Sequence, residues 1–551
     1  MSSTRIKGDV GRGVFAREAT GLVREVSPTQ AIFFNLANAP IGTVLVFSVV
    51  LGFSFFSGAN ILLGVLLAIL GSIPVLLYYA FLTASMPRTG GDYVYTSRFI
   101  HPAIGFAASV SYAANSFLGA GIVAVFVGTL GIAPAFSIIG KLTGHGTFNS
   151  IATWAAGKNG SFIIAVVSLT LLALFMIRGT SFTLKITAGV WLAGLLSILM
   201  LIGILLTTSN RSFQHIFNGY VTKETGKNTD WYHRMISLAN TGGLPHKSWF
   251  FALWGLIAIG MFGSGWFFVS TYIGGEIKSG RSLRRQVGTM LGGAAVNGAL
   301  FLICVALFIH TFGYKFLSSI SYLLATDPSK VPFFTGQGAH VVLFTGLSAQ
   351  NSVIAIIFGL TFIAWAWILL PAYLFPIMRS AFAWSFDQIL PAGLSQISRR
   401  TRTPVLLTVI VWALCILPAY LAAYRPSDIF KLYAFTFFGT ALSTMFFAGI
   451  AAMLFPYRAP ETYAASPVAK YRVAGLPAIV VVGAIGVLFT AFWCAAYAYF
   501  PEFGMHANEG LLVDVFGGIF VGSILVYYLS RYIRKSQGIP MEMAFSEIPP
   551  E

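Results

Sequence analysis

Charged residues are scarce in this sequence. Only 9% of its 551 residues are Asp, Glu, Lys or Arg, whereas 57% are hydrophobic. A water-soluble protein of this length needs far more charge to cover its surface. Long apolar stretches separated by short polar connections instead indicate a helical membrane protein, in which each span needs about 20 apolar residues.

Motifs for metal binding and catalysis are also missing. The three cysteines, Cys304, Cys415 and Cys494, lie within apolar segments and offer neither a metal-ligand spacing nor a disulfide framework. The sequence contains no HExxH, GxSxG or P-loop pattern, and its apolar segments hold no cluster of acidic residues. We therefore predict that the protein is not an enzyme and uses no cofactor and no metal.

The basic residues that are present predict the orientation in the membrane. Twelve apolar segments can be identified, so both termini lie on the same side. If that side is the cytoplasm, its loops and tails hold 23 of the 34 Lys and Arg residues, as the positive-inside rule requires. The net charge of +17 then reflects loop orientation and not nucleic-acid binding. We predict a multi-pass plasma-membrane protein with both termini cytoplasmic.

The segments fall into two groups of five followed by a pair. We predict an all-α chain with a cytoplasmic tail, a five-helix unit, a long extracellular loop, a second five-helix unit, two further helices and a cytoplasmic tail. The corresponding ranges are 1–30, 31–208, 209–249, 250–455, 478–530 and 531–551.

Helix breakers stand inside two of the apolar segments. In "NAPIGTVLVF" (38–47), Pro40 lacks an amide hydrogen and Gly42 permits non-helical backbone. Five segments later, "GSG" (263–265) interrupts a second span. Two interrupted spans at corresponding positions of two halves indicate the binding site of a transporter built from inverted repeats. Exposed amides at such breaks bind an anionic group and carbonyls bind a cation, so a zwitterionic amino acid fits both.

Several ordered motifs resemble those of the amino acid–polyamine–organocation (APC) transporter superfamily. The resemblance extends from residue 21 to about residue 477, and the stretch between the second and third segments is its most specific part. The motifs are "GLVREVSPTQAIFFNLANAPIG" (21–42), "MPRTGGDYVYTSRFIHPAIGF" (86–106), "YIGGEIKSGRSLRRQV" (272–287), "MRSAFAWSFDQILPAGLSQISRRTRTP" (378–404) and "FPYRAPETY" with "GLP" (455–477).

This resemblance implies a fold and a set of site residues. It implies a leucine-transporter-like fold of 12 transmembrane helices, a 5+5 inverted repeat plus two helices, that moves amino acids by alternating access. By position, backbone amides would bind the substrate carboxylate, backbone carbonyls would bind its ammonium, and Phe262 would close over it. The residues implied at the two breaks are Asn38, Ala39, Ile41, Gly42, Thr43, Met261, Phe262, Gly263, Ser264 and Gly265.

Further residues are expected in the pocket and at the inner gate. Tyr112 lies on a polar face of the third segment, and Asn115 is adjacent to it. Glu276 belongs to a matched motif and is expected to act in an inner gate, together with Asp92 and Arg98.

The coupling ion is less evident. The fifth segment lacks the lysine that some proton-coupled relatives carry. Sodium-coupled members need several hydroxyl side chains in the eighth segment, but within residues 353–375 Thr361 is the only serine or threonine. Thr361 and His310 are therefore weak candidates. We expect a proton symporter or an exchanger, with sodium coupling disfavoured.

Three alternatives remain at this stage. The expected pocket has no acidic side chain, which favours a neutral amino acid as substrate, but a polyamine or another organic amine would use the same fold. A ligand sensor or receptor that binds without transporting is a different class of function. The expected partners are thus a small-molecule amino acid substrate, the lipid bilayer and a proton as possible co-substrate, with no nucleic acid, and the oligomeric state stays open.

Overall fold

The chain folds almost entirely into helices, which make up 81% of the computed structural model. The structure describes residues 22–331, 340–504, 510 and 513–546. We call the side on which the first span begins and the last span ends the inner side, and the opposite side the outer side.

Eleven helices in the described part of the chain are long and apolar enough to cross a membrane. We number the segments spans 1 to 12 in chain order, and a shorter apolar helix, Trp249–Gly263, stands where the sixth span is predicted. The long helices are Pro28–Phe53, Ile61–Ser85, Pro102–Thr143, Lys158–Arg178, Thr180–Leu206, Leu283–Phe312, Ser352–Phe386, Val405–Tyr424, Pro426–Arg458, Ala478–Tyr499 and Asp514–Ser536.

Many of these spans are not continuous α-helices. Spans 1, 3, 7, 10 and 12 each contain a π-helical turn, at Val49–Phe53, Val127–Ile132, Gly288–Gly292, Leu442–Phe446 and Val513–Gly517. Span 8 is also divided into two α-helices, although it has no π-helical turn. The α-helical parts of these six spans are Pro28–Asn38, Ile41–Ser48, Pro102–Phe126, Ala133–Thr143, Leu283–Val287, Gly293–Phe312, Ser352–Trp367, Leu369–Phe386, Pro426–Ala441, Phe447–Arg458 and Gly518–Ser536. Such turns bend a helix and are frequent at functional sites.

Large apolar side chains on the outer faces of the bundle are left exposed. Leu70, Leu174 and Leu199 are each more than half exposed, on spans 2, 4 and 5. In water such faces would be unfavourable, whereas lipid tails solvate them. The protein is therefore a multi-pass membrane protein.

The predicted outer loop 209–249 is largely helical. It forms the helices Asn210–Thr225 and Trp231–Thr241, which pack with Tyr314–Thr326 and His340–Ser348. Aromatic rings make up the core of this layer: Tyr232 stacks on Phe316 at 4.5 Å. The loop is thus a packed cap on the outer side, with a hydrophobic core of its own.

Shorter elements connect the spans. The inner side carries the helices Asp92–Phe99, Pro460–Ala464 and Met541–Ser546 and an antiparallel pair of strands, β1 (Arg472–Val473) and β2 (Leu476–Pro477). The remaining elements are the helix Gly146–Ala156 and the 3-10 turns Met261–Gly263, Val269–Tyr272, Gly274–Glu276, Pro328–Lys330, Ala392–Ser395 and Pro501–Phe503.

Candidate functional site

Span 1 is broken where the sequence predicts. Its first helix ends at Asn38, Ala39 leaves helical geometry with φ −133° and ψ 67°, and a second helix begins at Ile41. The first hydrogen bond of that second helix runs from the Val44 amide to the Pro40 carbonyl, at 2.9 Å. The amides before Val44 therefore form the open first turn, where the helix dipole favours an anionic group.

Span 6 is also broken, and it lies beside the break in span 1. The helix Trp249–Gly260 tightens into the 3-10 turn Met261–Gly263, and no α-helix follows before Leu283. A Cβ atom on Gly263 would lie 3.0 Å from Cγ1 of Val44 in span 1. Glycine at this position thus lets the two broken segments approach closely.

Two asparagines hold the broken segments together. Asn297 of span 7 is fully buried and donates from Nδ2 to the carbonyls of Ala39, at 3.0 Å, and Gly263, at 3.2 Å. Asn38 donates from its own Nδ2 to the Trp266 carbonyl at 2.8 Å. Carbonyls that the resemblance assigns to the substrate ammonium therefore already accept protein hydrogen bonds. Sequence reasoning missed Asn297, and its only signal is an amide inside an apolar span.

A cavity of about 390 Å³ lies next to the two breaks and reaches toward the outer side. It is lined by Asn38, Pro40, Thr43, Val44, Phe47, Leu51, Tyr112, Asn115, Ile122, Val123, Phe126, Phe262, Trp266, Leu369, Tyr373, Ser427, Phe430, Lys431, Tyr433, Ala434, Phe437, Tyr497, Glu502, Phe503 and Gly504. The volume suits a small organic ligand, whose pocket typically occupies about 300–1,000 Å³.

The structure brings some of the predicted site residues into this cavity and leaves others out. Those that line it are Asn38, Thr43, Tyr112, Asn115 and Phe262. Those that do not line it are Ala39, Ile41, Gly42, Met261, Gly263, Ser264 and Gly265. The second group forms the backbone of the two breaks, behind the side chains that face the cavity.

Aromatic rings dominate the cavity wall. Phe262 stacks on Phe437 at 5.3 Å, and the ring of Trp266 lies 5.2 Å from Phe437. Tyr373 and Tyr433 share a hydrogen bond of 2.6 Å between their hydroxyl oxygens. Such a wall stabilises an apolar or aromatic substrate side chain, and the few polar groups orient the ligand.

Replacing Phe262 with alanine is expected to weaken substrate affinity. The substitution removes a ring that faces the cavity and stacks on Phe437, and a stacked pair contributes about 0.5–1.5 kcal/mol beyond buried area. We expect the KM for uptake to rise about tenfold, which corresponds to roughly 1.4 kcal/mol. Leu70→Ala on the lipid-facing side is the control. A KM for Phe262→Ala equal to that of the wild type would show that Phe262 does not contact the substrate.

Gly42 contacts a tryptophan of span 8. A Cβ atom on Gly42 would lie 2.3 Å from Cδ1 of Trp365, closer than any real contact. The Trp365 indole is fully buried and donates from Nε1 to Oγ of Ser197 in span 5 at 2.9 Å. Thr43 donates from Oγ1 to the Trp365 carbonyl at 2.7 Å. The broken part of span 1 is therefore positioned by close packing against spans 5 and 8.

Two buried ion pairs close the inner side. Arg379 binds Glu276 through Nε at 2.7 Å, and its Nη2 donates to Oγ1 of Thr180 at 2.7 Å. Arg98 binds Asp387 at 2.7 Å. All four charged side chains are at least 96% buried, so each charge depends on its partner.

The C-terminal helix Met541–Ser546 packs against the second ion pair. The Arg98 guanidinium lies 5.0 Å from the centre of the Phe545 ring, and its Nη2 donates to the Ala544 carbonyl at 3.3 Å. Arg534 of span 12 donates to the carbonyls of Gln388 and Leu390 in the loop after span 8. The end of the chain thus covers the inner side of the bundle.

The predicted gating residues take different partners from one another. Phe262 faces the cavity, whereas Glu276 and Arg98 belong to the two ion pairs. Asp92, on the same short helix as Arg98, instead accepts a hydrogen bond from the Tyr272 hydroxyl at 2.5 Å.

The candidates for a coupling ion do not form a site. The Thr361 hydroxyl donates to the Ile357 carbonyl of its own helix at 2.7 Å, and His310 is exposed near the end of span 7. Among the residues that the structure describes, no three His, Cys, Asp or Glu side chains cluster as metal ligands would. Neither candidate gains support as a cation ligand.

Comparison with known proteins identifies a family. The family model described as amino acid permease matches residues 29–521, from the second residue of the first span into the last span. A comparison with curated proteins found no match.

Proposed function

The chain belongs to the amino acid permease family of the APC superfamily, and we propose that it transports neutral amino acids by alternating access. Membership makes it a transporter of amino acids or related organic cations. Beyond family membership, our proposal covers the substrate's charge, the transport mechanism, the driving ion and the membrane. We propose that the protein lies in the plasma membrane with both termini in the cytoplasm.

The lining of the cavity is the observation that supports a neutral substrate. Among the described residues that line it, only Lys431 and Glu502 are charged, and both stand at the ends of spans 10 and 11 on the outer side. Glu502 is already paired with Lys247 at 2.8 Å. A cationic side chain deep in the cavity would find no carboxylate, whereas an apolar one would contact aromatic rings.

The arrangement of open and closed sides supports alternating access. The cavity reaches toward the outer side, while two buried ion pairs and the C-terminal helix close the inner side. A transport cycle would then require those pairs to separate after the outer side has closed over the substrate. This arrangement supports an outward-facing state in the cycle that we propose.

Uptake into proteoliposomes tests the substrate and the driving force together. We expect labelled leucine and phenylalanine to accumulate when the outside is acidic, and not with a sodium gradient alone. Uptake only into vesicles preloaded with amino acid would identify an exchanger. Accumulation driven by sodium alone would contradict the proposed coupling.

Competition distinguishes an amino acid from an amine. The open amides at the start of the second helix of span 1 suit a carboxylate, so analogues without one should compete poorly. We expect phenylalanine to inhibit labelled leucine uptake at least tenfold better than phenethylamine. Equal inhibition, or stronger inhibition by spermidine, would favour the organic-amine alternative on the same fold.

A further inference from the structure

We propose that Asp92 is the proton-binding group of this transporter, which takes up a proton while the inner side is closed and releases it when that side opens. The inference rests on the proposed function and names the coupling residue that the sequence leaves open. The structural basis is a deeply buried carboxyl group that takes part in neither inner ion pair.

The surroundings of Asp92 set it apart from the other inner acids. Its side chain is 1% exposed, and Oδ1 accepts from the Tyr272 hydroxyl. The backbone amides of Asp92 and Tyr93 lower the pKa of this carboxyl group, but burial outweighs them. Among the described residues, Oδ2 is fully buried and makes no hydrogen bond. An ionised carboxylate with an unpaired buried oxygen is unfavourable, so the site favours the neutral acid. Glu276 and Asp387, by contrast, are held by arginines.

Tyrosines surround Asp92 among the described residues. Four tyrosines from three neighbouring elements feel the charge of Asp92 in the part of the chain that the structure describes: Tyr78 and Tyr79 of span 2, Tyr112 of span 3 and Tyr272 after the break of span 6.

Charged groups on the elements packed against the short helix are engaged elsewhere or exposed. Arg98 binds Asp387 and Glu542 binds Arg531, while Arg458 and His101 are exposed. Arg88, in the loop just before Asp92, donates from Nη1 to the Pro87 carbonyl. Burial therefore dominates, and it raises the pKa of Asp92 from 3.8 to about 6.

Asp92 is also connected to the substrate cavity and to the gate. The ring of Tyr272 stacks on Tyr112 at 5.0 Å, and Tyr112 lines the cavity. The Tyr272 carbonyl accepts from the Gly90 amide at 3.1 Å, so the same residue joins the loop before Asp92 to span 6. Separation of span 6 from the loop would expose Asp92 to water and remove the cause of its raised pKa.

The proton balance of a cycle follows from this linkage. In the closed state, a proton from water on the acidic outer side forms an O–H bond with the Asp92 carboxylate. When the inner side opens, hydration lowers the carboxyl pKa, the O–H bond breaks and the proton passes to inner water. One positive charge thus moves with each zwitterionic substrate. Protonation favours the closed state as pH falls through about 6.

Asp92→Asn provides the first test. The amide imitates the neutral acid but cannot exchange a proton. We expect accumulation of labelled leucine and phenylalanine under a proton gradient to fall more than tenfold, while counterflow in preloaded vesicles keeps at least a tenth of the wild-type rate. A dye that reports internal pH should show substrate-dependent acidification in wild type and none in the variant. Asp327→Asn, at a half-exposed acid of the outer side, is the matched control.

Other results separate the two proposals. Proton-driven accumulation that persists in Asp92→Asn would overturn the assignment of Asp92, as would net uptake by the wild type without any proton movement. A wild-type protein with no counterflow at all would instead contradict the transport function.

A measurement on the wild-type protein covers the case in which the variant does not fold. Dicyclohexylcarbodiimide reacts with protonated buried carboxyl groups, and mass spectrometry locates the adduct. We expect labelling of Asp92 to fall as the pH rises, with a midpoint near pH 6. Absence of labelling at Asp92 at pH 5 would also overturn the proposal.

Discussion

Substituting valine for Gly42 is expected to reduce transport to background while the protein still inserts and folds. Any β-carbon at this position would overlap the Trp365 ring, with Cδ1 at 2.3 Å and Cγ at 2.4 Å. The ring cannot retreat, because Gly194 of span 5 lies against its other edge. The broken part of span 1 must therefore shift, and the amides and Thr43 shift with it.

The magnitude follows from the position of the clash next to the site. A displacement of about 1 Å at a binding site can cost a factor of 100 in rate. We expect uptake of labelled leucine by Gly42→Val to be at least 100-fold lower than in wild type. Gly42→Ala should show most of the loss, because the overlap begins at the β-carbon.

A second glycine in a membrane span provides the control. No atom lies within 4 Å of a β-carbon built on Gly203 of span 5, so Gly203→Val should transport normally. Size-exclusion profiles of both variants would report on folding. Normal uptake by Gly42→Val would show that span 1 does not pack against Trp365 as described.

Glu276→Gln is expected to open the inner side. The substitution leaves the buried Arg379 guanidinium without its carboxylate, and removal of one partner from a buried pair costs about 3–5 kcal/mol. This change raises the free energy of the closed state more than that of the open state, because water hydrates the arginine when the inner side is open. The equilibrium should move toward the open state by at least 100-fold, since each 1.4 kcal/mol is about a factor of ten.

Hydrogen exchange measures this opening. We expect the backbone amides of Asp92–Phe99, which borders the inner gate, to exchange faster in Glu276→Gln than in wild type. Glu542→Gln removes an exposed pair with Arg531 and should change exchange little, because such pairs contribute about 1 kcal/mol or less. The double variant Glu276→Gln/Arg379→Gln should be less perturbed than either single variant. Exchange in Glu276→Gln equal to wild type would exclude a gating role for this pair.

The general architecture could be predicted from the sequence because it depends on local pattern. Runs of apolar residues determine the spans, and Pro40 with the glycines near residue 264 breaks two of them in the predicted places. The family resemblance, too, agrees with the family match. Helical spacing places Tyr112 and Asn115 on the face of span 3 that lines the cavity.

The packing inside the site could not be predicted in the same way. From the sequence, Gly42 is expected to permit non-helical backbone. In the structure its small size is what matters, because Trp365 is adjacent in space although it is 323 positions away in the chain. Asn297 joins both breaks, which no spacing along the sequence reveals. The partner of Arg98 also depends on tertiary packing. Arg98 pairs with Asp387 from a distant part of the chain, whereas Asp92 on its own helix accepts from Tyr272.

The outer loop shows a further limit of sequence reasoning. Residues 209–249 are polar enough to suggest a loop, yet they form two helices whose aromatic residues are buried against a third. Amphipathic helices that pack on a protein surface carry a weak hydrophobic signal, since only one face is apolar. Their stability comes from the partner surface and not from local propensity.

Counterflow in sealed proteoliposomes tests the central claim most directly. Vesicles containing the wild-type protein are loaded with unlabelled phenylalanine and diluted into a trace of labelled phenylalanine, with no ion gradient. A transporter that works by alternating access predicts a transient internal accumulation of label above the external concentration, which Gly42→Val should lack. Saturable binding of phenylalanine to the protein without such accumulation in the wild type would contradict transport and favour a sensor that binds its ligand in the same cavity.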